Sequence, residues 1–492
     1  MSVLDRALIA AGHPLVSDAA ARILAAGGNA FDAVIAAGFA SVVAEHTLTS
    51  LGGGGFLLAR TGRGKEVLFD FFVNTPGLGL TGDQLTPHFF PITVNFPGSA
   101  QDFNVGAASV AVPGNLQGFL NVHDRLGHLP LTDILQPAIG LARGGWQLND
   151  SQAYFLRLLE PIMTLSADGR RLFGDGDHPR PGRRLDNPEL ADFLEKLPED
   201  RGRSFYRGDL AETMARMMRE KQGLLTAADL AAYRVVERRP LKIDYRGRTL
   251  LTNPWPAVGG SLIGLSLSLL AERPVGAGDW GSAAHLLHLA EVMIEVEKSR
   301  APGLAPDPRA GRQFHRGTTH ISVADRQGNV AAMTTSNGEG SGCFVPGTGI
   351  MLNNMMGEDD LHPAGFHASP PALRVGSMMA PALLLEKGQV RLVLGSGGSK
   401  RIRTALVQVL SHIVDFEKPL IEAITAPRLH WDGTVMQVEP GWPAAVAALK
   451  ERWPVNVWPG LDVYFGGVHA VAPGREAAAD PRRGGAVAIV QP

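Results

Sequence analysis

Gly317-Thr318-Thr319-His320 follows a stretch rich in proline and arginine and opens a run that reads as a strand. Two adjacent hydroxyls behind a glycine permit a particular chemistry. The Thr318 hydroxyl can attack the carbonyl of Gly317, and glycine leaves that approach uncrowded. A chain cut at this point gives Thr318 a free α-amine beside its own hydroxyl, so a single residue holds nucleophile and general base. The plainer reading is that a threonine pair opens a strand because β-branched residues suit one. The three residues alone leave both readings open.

Few other residues offer chemistry of their own. The single cysteine, Cys343, excludes an intrachain disulfide framework and any multi-cysteine metal site, and suits a reducing compartment. The fifteen histidines form no H-x-x-x-H or H-E-x-x-H pattern, so neither a metal nor an organic cofactor is expected. His285 and His288, three apart, read as packing or surface residues. Ser50-Leu51 followed by four glycines reads as a tight turn or a ligand-facing loop, and no lysine follows to make it a phosphate loop.

The elements that must position these residues are legible in outline. A chain of 492 residues, 45% hydrophobic, buries a large core as one unit or as two closely packed ones. Its 46 basic and 48 acidic residues nearly cancel, which gives no reason to expect a nucleic acid or an anionic membrane as partner. Small molecules or peptides are the expected ligands. The N-terminus shows no secretory signal pattern, and the longest apolar stretch, 31–45, is too short for a membrane span and carries Asp32, so a cytoplasmic protein is expected. A helix capped by Ser17 and stopped at Gly27-Gly28, a second helix over 31–45 and a strand over 56–60 open the chain. Residues 68–112 concentrate aromatics among prolines and glycines, as core strands or as a pocket wall. Residues 114–300 read as mostly helical, with Met214, Met217 and Met218 as core filling. A linker covers 301–316. Short alternating strands follow it, and then a helix over 401–416. Together these predict a layered sandwich of helices and largely antiparallel strands.

GNAFDAVIAAG, SLGGGGF, VPGNLQGF, LTAADLAAYRVVERRPLKIDYRG, TTHISVADRQGNVAAMTTSN, NNMMGEDD, GSMMAP and LGSGGSKRI are spread in this order over nearly the whole chain. Together they resemble the γ-glutamyltransferase family of N-terminal nucleophile hydrolases. The resemblance implies an α+β fold, a four-layer αββα sandwich with two stacked, largely antiparallel sheets. It implies self-cleavage between Gly317 and Thr318 into a large chain, 1–317, and a small chain, 318–492. The two would form one intertwined heterodimer, a dimer of such heterodimers being the larger assembly considered. Thr318 takes the position of the nucleophile and Thr334 that of the second threonine, whose hydroxyl supports it. Gly397 and Gly398 take the position of the backbone oxyanion hole. Ser377 matches a serine that contacts the substrate carboxylate, although its serine neighbour is replaced by Gly376. Asn354, Glu358, Asp359 and Asp360 occupy the neighbourhood that receives a substrate α-amino group. Thr319 and His320 complete the motif, with His320 read as a structural histidine.

One departure bears on the substrate. Where the family commonly carries D-Y-R-E, with an arginine clamping the glutamate α-carboxylate, this chain reads Asp70-Phe71-Phe72-Val73. A phenyl ring cannot replace a planar two-pronged donor. Arg374 and Arg403 are the substitutes considered, with plainer roles as a structural partner and a helix-surface charge. The resemblance therefore implies an amidohydrolase or acyltransferase acting on a γ-glutamyl or related small amide. The alternatives are an acylase for another acyl group, such as a glutaryl amide, and an uncut, non-catalytic binding protein. The intact Thr318, Thr334 and Gly397-Gly398 argue against the last.

Overall fold

The computed structural model describes residues 4–82, 86–96, 99–174, 176, 179–299, 317–362 and 364–491. The expected linker, 301–316, lies outside the described residues.

Two sheets carry the fold. The first runs in the order Ala486–Val490, Ala7–Ala11, Thr319–Ala324, Val330–Ser336, Gly54–Arg60, Glu66–Phe71, Val236–Arg238, with every neighbouring pair antiparallel. The second runs Glu476–Ala479, Gly467–Ala472, Gln389–Gly397, Ala382–Glu386, Arg248–Thr252, Leu241–Tyr245, again antiparallel throughout. Strand alternation divides the core between their faces. In Ala7–Ala11, Ile9 and Ala11 join the core beneath the first helices, while Leu8 and Ala10 join the core between the sheets. Helices Pro14–Ala25 and Ala30–Ala44 cover the outer face of the first sheet, and Gly259–Ala271 and Arg401–Asp415 cover that of the second. This is the four-layer αββα sandwich.

Local sequence explains the opening elements. Ala30–Ala44 is buried at every position, as a helix apolar on all sides must be, and Asn29 with Asp32 closes its start in a capping box. The first helix starts earlier than its sequence suggests. His13 is the N-cap, accepting from the Leu15 amide, and Pro14 fills the first turn, where its missing N–H costs nothing. Ser17 is one turn inside, its hydroxyl bonded back to the Pro14 carbonyl.

The long helical region also holds strands, among them Leu241–Tyr245 and Arg248–Thr252, turned at Arg246-Gly247 with both residues at positive φ. Met214 and Met218 are core residues, with Met217 packed against them. The aromatic region forms the hairpin Phe90–Phe96 with Ser99–Val105, and its Val94 and Phe103 pack into the core.

Candidate active site

Thr318 sits at the head of Thr319–Ala324, the third strand of the first sheet, with 4% of its surface exposed. Its Oγ1 donates to the Gly317 carbonyl at 2.8 Å and lies 3.3 Å from the Ser336 hydroxyl. Ser336 Oγ also donates to the Gly317 carbonyl oxygen. In turn it accepts from the Gly338 amide at 3.1 Å. Two hydroxyls thus converge on the carbonyl that a cut before Thr318 has to open.

Thr334 is elsewhere. Its hydroxyl meets His320 Nδ1 at 2.8 Å, and His320 Nε2 meets Ser322 Oγ at 2.9 Å. Burial keeps the His320 imidazole uncharged, with a pKa well below the ordinary value. The residue beside Thr318 is therefore Ser336, two positions on. The register dictates this: Thr319 faces Thr335 and His320 faces Thr334, so the next pair outward is Thr318 and Ser336. The tight turn at Asp325–Asn329 sets that register, with Asp325 Oδ1 accepting from the amides of Gln327 and Asn329.

Gly397 ends a strand of the second sheet and lies against the Thr318 carbonyl. A Cβ there would stand 2.2 Å from that oxygen, so only glycine fits. Gly398 follows at φ +123° against Gly466. The turn through Ser399 leads into helix Arg401–Asp415, where the Arg401 amide donates to the Gly398 carbonyl at 3.1 Å.

The pocket over Thr318 is lined by Phe72, Met355, Leu361, Met378, Met379 and Ile402, with Ser336, Ser377, Ser399, Glu358 and Asp360 as its polar groups. No arginine or lysine is among the described residues that line it. Of the expected substrate-binding residues, Phe72, Ser377 and Glu358 meet here. Asn354 does not line the pocket, its amide oxygen accepting from the Glu339 amide and its Nδ2 reaching the Asn104 carbonyl. Asp359 is likewise outside the lining.

The sequence matches the gamma-glutamyltranspeptidase family model over residues 16–313 and 295–490. The chain belongs to the gamma-glutamyltranspeptidase family. It is 32% identical to the Acylase ACY 1 proenzyme of Pseudomonas sp. (strain SE83), over 90% of this chain and 86% of that protein. It is 31% identical to the glutathione hydrolase proenzyme of Pseudomonas aeruginosa, over 87% of this chain and 83% of that one. Among solved structures it superposes on cephalosporin acylase from Bacillus halodurans with a TM-score of 0.80 and 27% identity, covering 99% of this chain and 96% of that one. These relatives identify the chain as an enzyme of an amide-hydrolysing family.

Phe72 is held from several sides. The ring stacks on Phe56 at 5.6 Å, its amide donates to Asp70, and its carbonyl accepts from the Tyr233 hydroxyl at 2.8 Å. Arg374 stands behind this layer. It donates to the Tyr233 hydroxyl and the Arg234 carbonyl and lies 3.5 Å from buried Asp70, lining a separate cavity with Asn74 and Arg234. Arg403 is no surface charge: it is buried and bonded to Glu297, away from the Thr318 pocket. Neither arginine lines the pocket over Thr318.

Two buried charged residues beneath Thr318 had no signal of their own in the sequence. Glu45, at the end of helix Ala30–Ala44, accepts from Thr319 Oγ1 at 2.9 Å. Burial pushes its carboxyl up to about 7, and the Thr319 hydroxyl and the Arg483 charge offset only part of that. Arg483 donates to the Thr318 carbonyl at 3.2 Å, and burial brings its pKa down to about 10. Its loop is pinned by a buried lattice in which Arg482 bonds Glu439 and Asp480, and Arg428 bonds the other oxygen of Asp480. Among the described residues no group of three or more His, Cys, Asp or Glu could hold a metal ion. No helix among them is long and apolar enough to cross a membrane.

Proposed function

We propose that this chain is a self-processing amide hydrolase acting through Thr318, on an acyl group that lacks the α-carboxylate of a γ-glutamyl unit. The observation that carries the reading is the convergence of Thr318 Oγ1 and Ser336 Oγ on the Gly317 carbonyl, at the floor of a pocket with Phe72 in its wall. In the uncut chain, Thr318 Oγ1 bonds to the Gly317 carbonyl carbon while Ser336 holds the carbonyl oxygen. The hydroxyl proton passes to the Thr318 nitrogen, which leaves as an amine, and water hydrolyses the resulting ester to a Gly317 carboxyl and a free Thr318 hydroxyl. The chains 1–317 and 318–492 remain together as a heterodimer.

In turnover the same hydroxyl attacks the substrate carbonyl, with the Thr318 α-amine as base, and the amides of Gly397 and Gly398 receive the oxyanion. The amine then returns the proton to the leaving group, and water or a second amine resolves the acyl-enzyme. Phe72 and, among the described residues, the lack of a lining cation favour an apolar or carboxylate-free acyl part, since a carboxylate in such a pocket would give up its hydration for no ion pair. The acylase and the glutathione hydrolase among the relatives support amide chemistry at large.

The test is the denatured mass of the chain and of Thr318→Ala, followed by a panel of anilides of γ-glutamyl, glutaryl and simple aliphatic acids. Two fragments divided at Gly317-Thr318, an uncut variant and preference for the simple aliphatic anilide are expected. An uncut wild-type chain sinks the mechanism, and a preference for the γ-glutamyl or glutaryl anilide, both of which carry that carboxylate, sinks the substrate assignment.

A further inference from the structure

Two buried groups of opposite charge approach the first two residues of the nucleophile strand from different elements, and nothing in the chemistry above uses them. The Glu45 carboxyl reaches Thr319 from the end of the second helix. Arg483 reaches the Thr318 carbonyl from the loop after the second sheet. Close packing holds Glu45 in place: a Cβ on Gly12 would stand 2.4 Å from its Oε1 and 2.8 Å from Thr319 Oγ1, so only a glycine lets the three groups meet. The buried lattice of Arg428, Glu439, Asp480 and Arg482 holds the Arg483 loop as firmly.

We propose that Glu45 and Arg483 are positioning residues for Thr318: Glu45 fixes Thr319, Arg483 fixes the Thr318 carbonyl, and their opposed charges set how readily the Thr318 α-amine gives up its proton. The proposal rests on Thr318 being the nucleophile of a cut chain. A general base has to be unprotonated to work. The Arg483 cation, bonded to the carbonyl of the same residue, disfavours an ammonium on Thr318, and an ionised Glu45 favours one. The ring neighbours do not complicate this balance, because burial holds His13 and His46 at about 4 and therefore neutral near pH 7. Thr319 faces Glu45 as an uncharged hydroxyl, so Arg483 is the charge that acts on it. As Glu45 ionises, it opposes Arg483 and holds the proton on the amine to higher pH.

Glu45→Gln keeps an oxygen for Thr319 and removes the titrating charge. On the cut enzyme, the acidic limb of the kcat/KM profile is expected to move to lower pH by about half a unit or more, with KM little changed. Glu45→Ala, which also loses the hydrogen bond, is expected to lower kcat at least tenfold. Thr319→Val reaches the same hydrogen bond from the other side and is expected to lower kcat as well, with Thr319→Ser restoring it. This pair decides the positioning role if Glu45 variants do not fold. An unchanged acidic limb in Glu45→Gln overturns the electrostatic role. Wild-type kcat in Thr319→Val overturns the positioning role. Failure of the underlying reading looks different: Thr318→Ala would then retain activity, whatever Glu45 does.

Discussion

Thr318 and Ser336 face each other at the ends of the paired strands Thr319–Ala324 and Val330–Ser336, their hydroxyl oxygens 3.3 Å apart and both directed at the Gly317 carbonyl. In an antiparallel pair this is the contact that closest side-chain neighbours make. In the proposed self-cleavage one hydroxyl attacks and the second holds the oxygen on which charge develops.

Ser336→Ala is expected to slow cutting at least tenfold and to lower kcat in whatever fraction matures, since one donor to developing charge is typically worth that much or more. The fraction cut against time, read by denatured mass, checks this. Thr334→Ala, by contrast, should leave cutting intact and cost about 1–3 kcal/mol of stability, because it strands a buried His320 nitrogen.

Gly397→Ala should abolish turnover. The added methyl would collide with the Thr318 carbonyl at 2.2 Å, and strand pairing with Gly467 leaves Gly397 no room to retreat. A folded, correctly sized protein with no anilide hydrolysis is the expected result. Normal activity would remove Gly397 from the site.

Arg374→Met separates structure from recognition. Arg374 and Arg238 both stand on Asp70, which is fully buried, and removing one partner of a buried ion pair costs on the order of 3 kcal/mol. A lowered Tm with unchanged KM is expected. A large rise in KM at unchanged Tm would make Arg374 a substrate contact.

Stability should fall on acidification earlier than carboxylate titration alone would bring. His13, His46, His285 and His469 are held at about 4, and His412 at about 3, all by burial. An unfolded chain takes up protons at these sites near the ordinary 6.5 while the folded one does not, so their contribution is complete above 6.5 and lost as pH falls toward 4. Glu45 has the opposite sign. Its carboxyl, raised to about 7 from 4.5, keeps its proton in the fold and costs stability as pH rises between those values. Denaturant midpoints from pH 4 to 8 should thus rise steeply at the acid end, and more so in Glu45→Gln.

The layered fold and the strand that opens at Thr319 were legible in the sequence because they rest on periodicity and on motifs that keep their order along the chain. The partner of Thr318 was not. Thr334 and Ser336 lie on the same side of one strand, two residues apart, and composition treats them alike. Only counting outward from the Asp325–Asn329 turn separates them. Glu45 and Arg483 were less visible still, each a lone charge far from residue 318 in sequence, brought beneath it by helix and loop placement. The cap at His13 escaped notice because Ser17 is the commoner residue type for that task, while Pro14 had already fixed where the helix starts. Arg403 looked like surface because it lies on an amphipathic helix, and the partner that buries it, Glu297, comes from another one.

The order of strands in the first sheet has a mechanical consequence. Thr319–Ala324 is hydrogen-bonded on one side to Ala7–Ala11 and on the other to Val330–Ser336, and Ala486–Val490 lies beyond Ala7–Ala11. Residues from both sides of Gly317 are therefore shuffled into one sheet like cards from two halves of a deck. Severing the peptide at that point frees an amine without freeing either piece, and pulling the pieces apart would mean unzipping the middle of the sheet. A matured enzyme of this design should melt in a single transition and travel as one particle in native buffer, coming apart only where the sheet itself dissolves.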